Sequence, residues 1–130
     1  MVSIIELLKE KNFYLERFLE ESRKERASFK ARRFDNLEPL YKKREQILQN
    51  IQSIDARINK MCADKSEEIL NMPNKGEMQT LLKTIKDNVR YIMEEDIEII
   101  SCIENEKTKI IKEISQTKEG RRVLNGSKAL

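Results

Sequence analysis

Histidine and tryptophan are both absent from this 130-residue sequence, which holds only three glycines, two prolines and two cysteines. Without histidine the chain lacks the usual general base, any Ser-His or Cys-His nucleophile pair and the commonest metal ligand. Gly76, Gly120 and Gly126 stand alone, so there is no glycine-rich phosphate loop. With no tryptophan, and with Tyr14, Tyr41 and Tyr91 scattered, there is no aromatic-lined sugar cleft in which a carboxylate pair would act. Cys62 and Cys102 are far apart and form no C-x-x-C pair, which argues against a disulfide framework or a zinc ribbon and places each at the core or its boundary. The acidic cluster Glu94-Glu95-Asp96, with Glu98 nearby, invites a di-metal reading, but such centres in helical bundles draw on Glu-x-x-His as well. A solvated helix face is the expectation there. No catalytic residue, cofactor or metal is assigned, and the chain is not expected to be an enzyme.

Charge of one sign is also lacking. Lysine and arginine number 26 against 23 aspartates and glutamates, a net charge of +3, too weak a field to argue for nucleic acid or an anionic membrane. Basic clusters such as Arg23-Lys24-Glu25-Arg26 and Lys42-Lys43-Arg44 are interleaved with acids, and the spacing predicts helix-surface pairs such as Glu20 with Lys24 and Glu38 with Lys42. No stretch approaches the roughly 20 apolar residues of a membrane span. The opening segment, Met1 to Asn12, is broken by Glu6, Lys9, Glu10 and Lys11, unlike a signal peptide. These features lead to the expectation of a cytoplasmic protein with no membrane span.

What is present is helical periodicity. Charged and hydrophobic residues each make up 38% of the chain and aromatics 5%, the balance of long amphipathic helices rather than of sheets. The length encloses one hydrophobic core, so residues 1–130 are expected to form a single helical domain. Helix one is predicted over about 2–33, with Ile4, Ile5, Leu8, Leu15, Phe18, Leu19 and Phe29 at helical spacing. Its stripe is interrupted by Lys11, Asn12, Ser22, Glu25 and Arg26, the mark of a loosely packed helix or of one that meets a partner.

A turn is expected at Phe34–Pro39, where Asp35 or Asn36 can cap a helix and Pro39 fits a first turn. Helix two follows over about 36–70. Leu37, Leu40, Arg44, Ile47, Ile51, Ile54, Ile58 and Met61 step by three and four, a coiled-coil seam broken only by Arg44. Asn71-Met72-Pro73-Asn74-Lys75-Gly76 is the strongest breaker and marks a reversal. Helix three, about 77–118, repeats the step through Met78, Leu82, Ile85, Val89, Ile92, Asp96, Ile99, Ile103, Glu106 and Ile110. Gly120 is expected to end it, ahead of a frayed tail over 119–130.

The fold class that follows is all-α: an antiparallel three-helix bundle or coiled coil with a long C-terminal helix. At 1.5 Å per residue helix three reaches roughly 60 Å against roughly 45 to 50 Å for the others, so it overhangs them. Beyond about Ile103 its apolar stripe is then short of intramolecular partners, a candidate binding surface. Asp96, in the most regular part of that seam, is either an edge residue that reaches solvent or a polar group that fixes register against a partner helix.

Three stretches resemble the FlgN-like and FliT-like flagellar export chaperones. They are the joint Phe29-x-x-Arg32-Arg33-Phe34-Asp35-x-Leu37-x-x-Leu40, the run Leu40-x3-Arg44-x2-Ile47-Leu48-x2-Ile51-x2-Ile54, and the close Ile92-x3-Asp96-x2-Ile99-Ile100-x2-Ile103-x3-Lys107-x2-Ile110-x3-Ile114 with Gly120-Arg121-Arg122 after it. The tail from Arg121 to Leu130 departs from the family in having no tyrosine. The resemblance implies a chaperone that binds helical segments of hook-associated or filament-cap proteins before secretion, with the export apparatus as a further partner. Asp96, Ile99, Ile103, Ile110 and Ile114 are the expected partner-binding residues. The alternative is a structural or regulatory coiled-coil protein that forms a homo-oligomer without a client.

Overall fold

The structure is a computed structural model that describes residues 3–117, 119–122 and 125. It is all-α, with no strand among the described residues. Helix α1 (Ile4–Lys30) leads through a short 3₁₀ turn (Phe34–Asn36) into α2 (Leu37–Asp64); α3 (Ser66–Leu70) and a turn follow, and α4 (Lys75–Ser115) is the longest element. No helix among the described residues is long and apolar enough to cross a membrane.

Each boundary has a local cause. Ser3 opens α1 with a capping box: its hydroxyl accepts from the Glu6 N–H at 3.2 Å, while the Glu6 carboxylate accepts from the Ser3 N–H at 3.4 Å. At the other end Arg32 takes a left-handed conformation, φ 55°. The Arg33 N–H reaches back to the Ser28 carbonyl at 2.8 Å and the Arg32 N–H to the Phe29 carbonyl at 3.1 Å, which satisfies carbonyls that a helix end leaves without partners. Helix one therefore stops at Lys30 rather than near 33; its expected start, Val2, lies outside the described residues. Asn36 does occupy the N-cap of α2, but its side chain makes no capping bond. The expected helix over 36–70 is two helices, because Lys65 leaves helical geometry at φ −131° and separates α2 from α3.

The last helix also ends earlier than expected, at Ser115. Gly120 does not terminate it: residues 119–122 are helical again. The Thr117 hydroxyl accepts from the Gly120 N–H at 2.8 Å, and a Cβ at Gly120 would collide with the Ile114 carbonyl oxygen, so only glycine fits the approach. Gly126 and Ser127 of the expected frayed tail lie outside the described residues.

Packing is organised around α1. Helices α2 and α4 each lie along it, and they make no comparable contact with each other. Ile4, Ile5, Leu8, Leu15 and Leu19 of α1 form one core with Ile47 and Ile51 of α2 and Ile85 and Ile92 of α4. Consecutive long helices run antiparallel, so α1 and α4 are parallel. The helix with the least regular stripe is thus the central one, and all its interruptions but Ser22, whose buried hydroxyl has no hydrogen-bond partner among the described residues, are answered within the chain. Lys11 pairs with Asp55 of α2 at 2.7 Å, and the Asn88 amide of α4 donates to the Asn12 carbonyl oxygen at 2.7 Å. Arg26 meets Glu95 at 3.0 Å.

The most buried interruption is Glu25, 2% exposed, which is ion-paired with Arg44 of α2. Arg44 also reaches Asp96 of α4 at 3.3 Å and lies over the Phe18 ring, 4.8 Å from its centroid. The fully buried Ser22 lies one turn away on the same helix. Outside this layer the expected surface pairs form: Lys24–Glu20 and Lys42–Glu38, each at 3.6 Å.

Two stability measurements by urea unfolding follow. Arg44→Leu is expected to cost about 3 kcal/mol or more because it strands a buried carboxylate, whereas Glu25→Leu combined with Arg44→Leu recovers most of that loss. Arg32→Gly is expected to be about 1 kcal/mol more stable than Arg32→Ala, since both lose the side chain but only glycine adopts the left-handed position without strain.

Candidate functional site

The C-terminal end of α1 lies level with Glu106 of α4, because Arg32 donates to the Glu106 carboxylate at 2.7 Å. Helix α4 runs on for more than two further turns to Ser115. Ile110, Ile111 and Ile114 on this overhang, and Ile103 one turn before it, remain about two-fifths exposed, in a helix whose earlier positions Ile85, Ile92 and Ile99 are buried. An open groove of about 650 Å³ lies here, lined by Phe29 of α1, Phe34 of the 3₁₀ turn, Tyr41 of α2, and Ile103, Ile110 and Ile111 of α4.

The wall opposite α4 is built by the chain reversal. The left-handed turn at Arg32 brings Phe34 edge-on to Phe29, with ring centroids 5.9 Å apart and planes at 63°. Tyr41 continues the wall one turn into α2. Burial, then the nearby Glu25 carboxylate, hold the Tyr41 hydroxyl protonated above the ordinary phenol range, with Arg44 acting the other way. The polar members of the groove are Glu106, already engaged by Arg32, and Lys107. A mostly apolar trough with an ion pair and one cation along it suits a helix that carries an apolar stripe. It offers no constellation for covalent chemistry.

The structure divides the residues expected to bind a partner. Ile103 and Ile110 line the groove, and Ile114 is exposed one turn beyond Ile110. Ile99 does not belong with them: at 5% exposure it is part of the buried interior of the bundle and has no surface to offer a partner. Asp96 is half-exposed and spans the two roles open to it, since it reaches solvent while binding Arg44, and the helix it meets is α2 of its own chain. The sequence reading missed Phe29, Phe34 and Tyr41 as a wall. Phe29 and Phe34 flank the polar joint, and aromatics bracketing a reversal were the signal available.

Two further expectations need correction. Cys62 is exposed rather than at the core or its boundary, whereas Cys102 is at the boundary. Glu95 of the acidic cluster faces inward, 9% exposed, toward Arg26, so that cluster is not simply a solvated face. Among the described residues no group of histidine, cysteine or carboxylate side chains is placed to hold a metal ion.

A second hollow, of about 530 Å³, lies at the opposite end of the bundle, between the start of α1 and the α3 turn. Its apolar lining residues Met61, Ile69 and Met72 pack against the core, which makes it slack beneath a turn rather than an unpartnered surface. No protein-family profile, no curated protein and no solved structure matches this chain.

The division of the α4 isoleucines is measurable. Ile99→Ala is expected to cost about 2–4 kcal/mol in urea unfolding, and Ile110→Ala less than about 1 kcal/mol, because only the first empties a filled interior site.

Proposed function

We propose that this protein is a cytoplasmic chaperone of the flagellar export type, which holds an amphipathic helical segment of a hook-associated or filament-cap client in the groove between α4 and the α1–α2 reversal. The observation that carries this reading is the half-exposed isoleucine row on the part of α4 that outruns α1, facing an aromatic wall with a trough between them. Apolar surface left uncovered in this concentrated form is what a partner helix covers, with side chains at i, i+3, i+4 and i+7 entering the trough. The resemblance of the joint, the second-helix run and the closing helix to export chaperones supports the same reading.

The physical logic suits a carrier. A client segment that is disordered until it binds gives up conformational freedom on docking, which holds affinity in a range that allows release. While docked, its stripe is hidden from other copies of the client, so premature assembly is blocked.

Isothermal titration with synthetic peptides of the C-terminal helices of hook-associated and filament-cap proteins tests the proposal. Micromolar binding is expected, reduced roughly tenfold or more by Ile103→Asp with Ile110→Asp. Far-UV circular dichroism should stay unchanged, because both positions are half-exposed. No binding by any such peptide, or a homo-oligomer that fills the groove, would favour a structural coiled-coil protein without a client.

A further inference from the structure

Where α4 meets the other helices, its polar side chains are answered from across the contact. Asn88 bonds Asn12 of α1, Glu95 meets Arg26, Asp96 meets Arg44 of α2, and Glu106 meets Arg32. Lys107 departs from that pattern. It lines the groove in the middle of the apolar row, one turn from Ile103 on one side and from Ile110 and Ile111 on the other. Among the described residues no carboxylate lies within ion-pair distance of its ammonium. Glu104, three residues earlier, does not reach it, and Glu106 and Glu113 are both turned toward Arg32, at 2.7 and 3.9 Å. The other lining residues, Phe29, Phe34, Tyr41 and the isoleucines, bring no negative charge.

In the open trough this lysine is exposed and keeps its water, so it costs the chain little. Covering the trough changes that. A helix laid along Ile103, Ile110 and Ile111 strips water from the ammonium, and a buried charge without a counter-ion is heavily penalised.

We infer that the groove selects a helix whose apolar stripe is interrupted in its middle by a carboxylate, Asp or Glu, which pairs with Lys107 on docking. This rests on the groove being the client site, and it names the kind of helix the site accepts. A purely apolar stripe strands the ammonium, and a stripe interrupted by a cation sets two like charges together, so one lysine both favours the right client and rejects others. Glu106 does not oppose the incoming carboxylate, because Arg32 already neutralises it. The bundle uses the same device in its own interior, where Arg44 in the seam of α2 meets Asp96 in the seam of α4.

Isothermal titration of the full chain with three synthetic amphipathic peptides provides the test. The peptides share one leucine stripe and differ at a single position in its middle, which holds Glu, Gln or Lys. The Glu peptide is expected to bind roughly tenfold tighter than the Gln peptide, and the Lys peptide weakest. Lys107→Glu should reverse the order, and Lys107→Met should leave the Glu peptide no advantage over the Gln peptide. Position 107 is exposed, so far-UV circular dichroism should be unchanged, and Ile103→Asp with Ile110→Asp should weaken all three complexes. Equal affinity for the three peptides, or a Glu preference that survives Lys107→Glu, would overturn the proposal while leaving the groove as a client site. Binding of none of the three, including a trough closed by a second copy in sedimentation equilibrium, would overturn it as well. The hook-associated and filament-cap peptides then decide separately whether the client reading stands.

Discussion

Arg44 is where the three long helices converge. Its guanidinium pairs with Glu25 of α1 and with Asp96 of α4 and covers the ring of Phe18, while Glu25 has almost no contact with water. An ion removed from solvent is tolerable only beside its counter-ion, so the interruption of the α2 seam must lie level with the interruption of α1. A slip of one turn would place Glu25 against an aliphatic side chain and cost several kcal/mol, far more than apolar seams with nearly uniform isoleucine spacing would register on their own. The charged layer therefore determines the axial position of α2, and with it the position of the reversal that carries Phe34 and Tyr41.

The parallel pair α1 and α4 is aligned by a comparable set of polar rungs. Asn88 bonds Asn12, Glu95 meets Arg26, and Glu106 meets Arg32, in the same order along both helices. Paired asparagines in an otherwise apolar interface are a known register device in parallel helices. Because these rungs fix where α1 ends against α4, they also fix how much of α4 projects past it. The groove is in this sense a product of length mismatch and alignment: a fully matched α1 would have covered Ile110 and left no trough.

Much of this was legible in the sequence because periodicity reports faces directly. The seam of α2, the reversal after Leu70 and the excess length of α4 all follow from where isoleucines and breakers fall, although Lys75 and Gly76, expected in the turn, already belong to α4. What remained hidden is pairwise. Lys11, Asn12, Glu25 and Arg26 read as defects while α1 is considered alone, and become complementary only once Asp55, Asn88, Arg44 and Glu95 lie opposite them. Ile99 and Ile103 have the same residue type and similar spacing, yet one is buried and the other forms a groove wall, because the distinction depends on where a neighbouring helix ends. The stop of α1 at Lys30 was unreadable for another reason: it uses an arginine in a conformation that usually signals itself through glycine.

The central position of α1 also has a temporal side. The hairpin of α1 and α2 involves neighbouring segments and can form as soon as both have left the ribosome, whereas the other flank of α1 waits for α4, which is translated after both. At 5–20 residues per second the 41 residues of α4 take about 2 to 8 seconds to make. For that interval the nascent hairpin shows Asn12 and the apolar side chains around it to the surrounding medium.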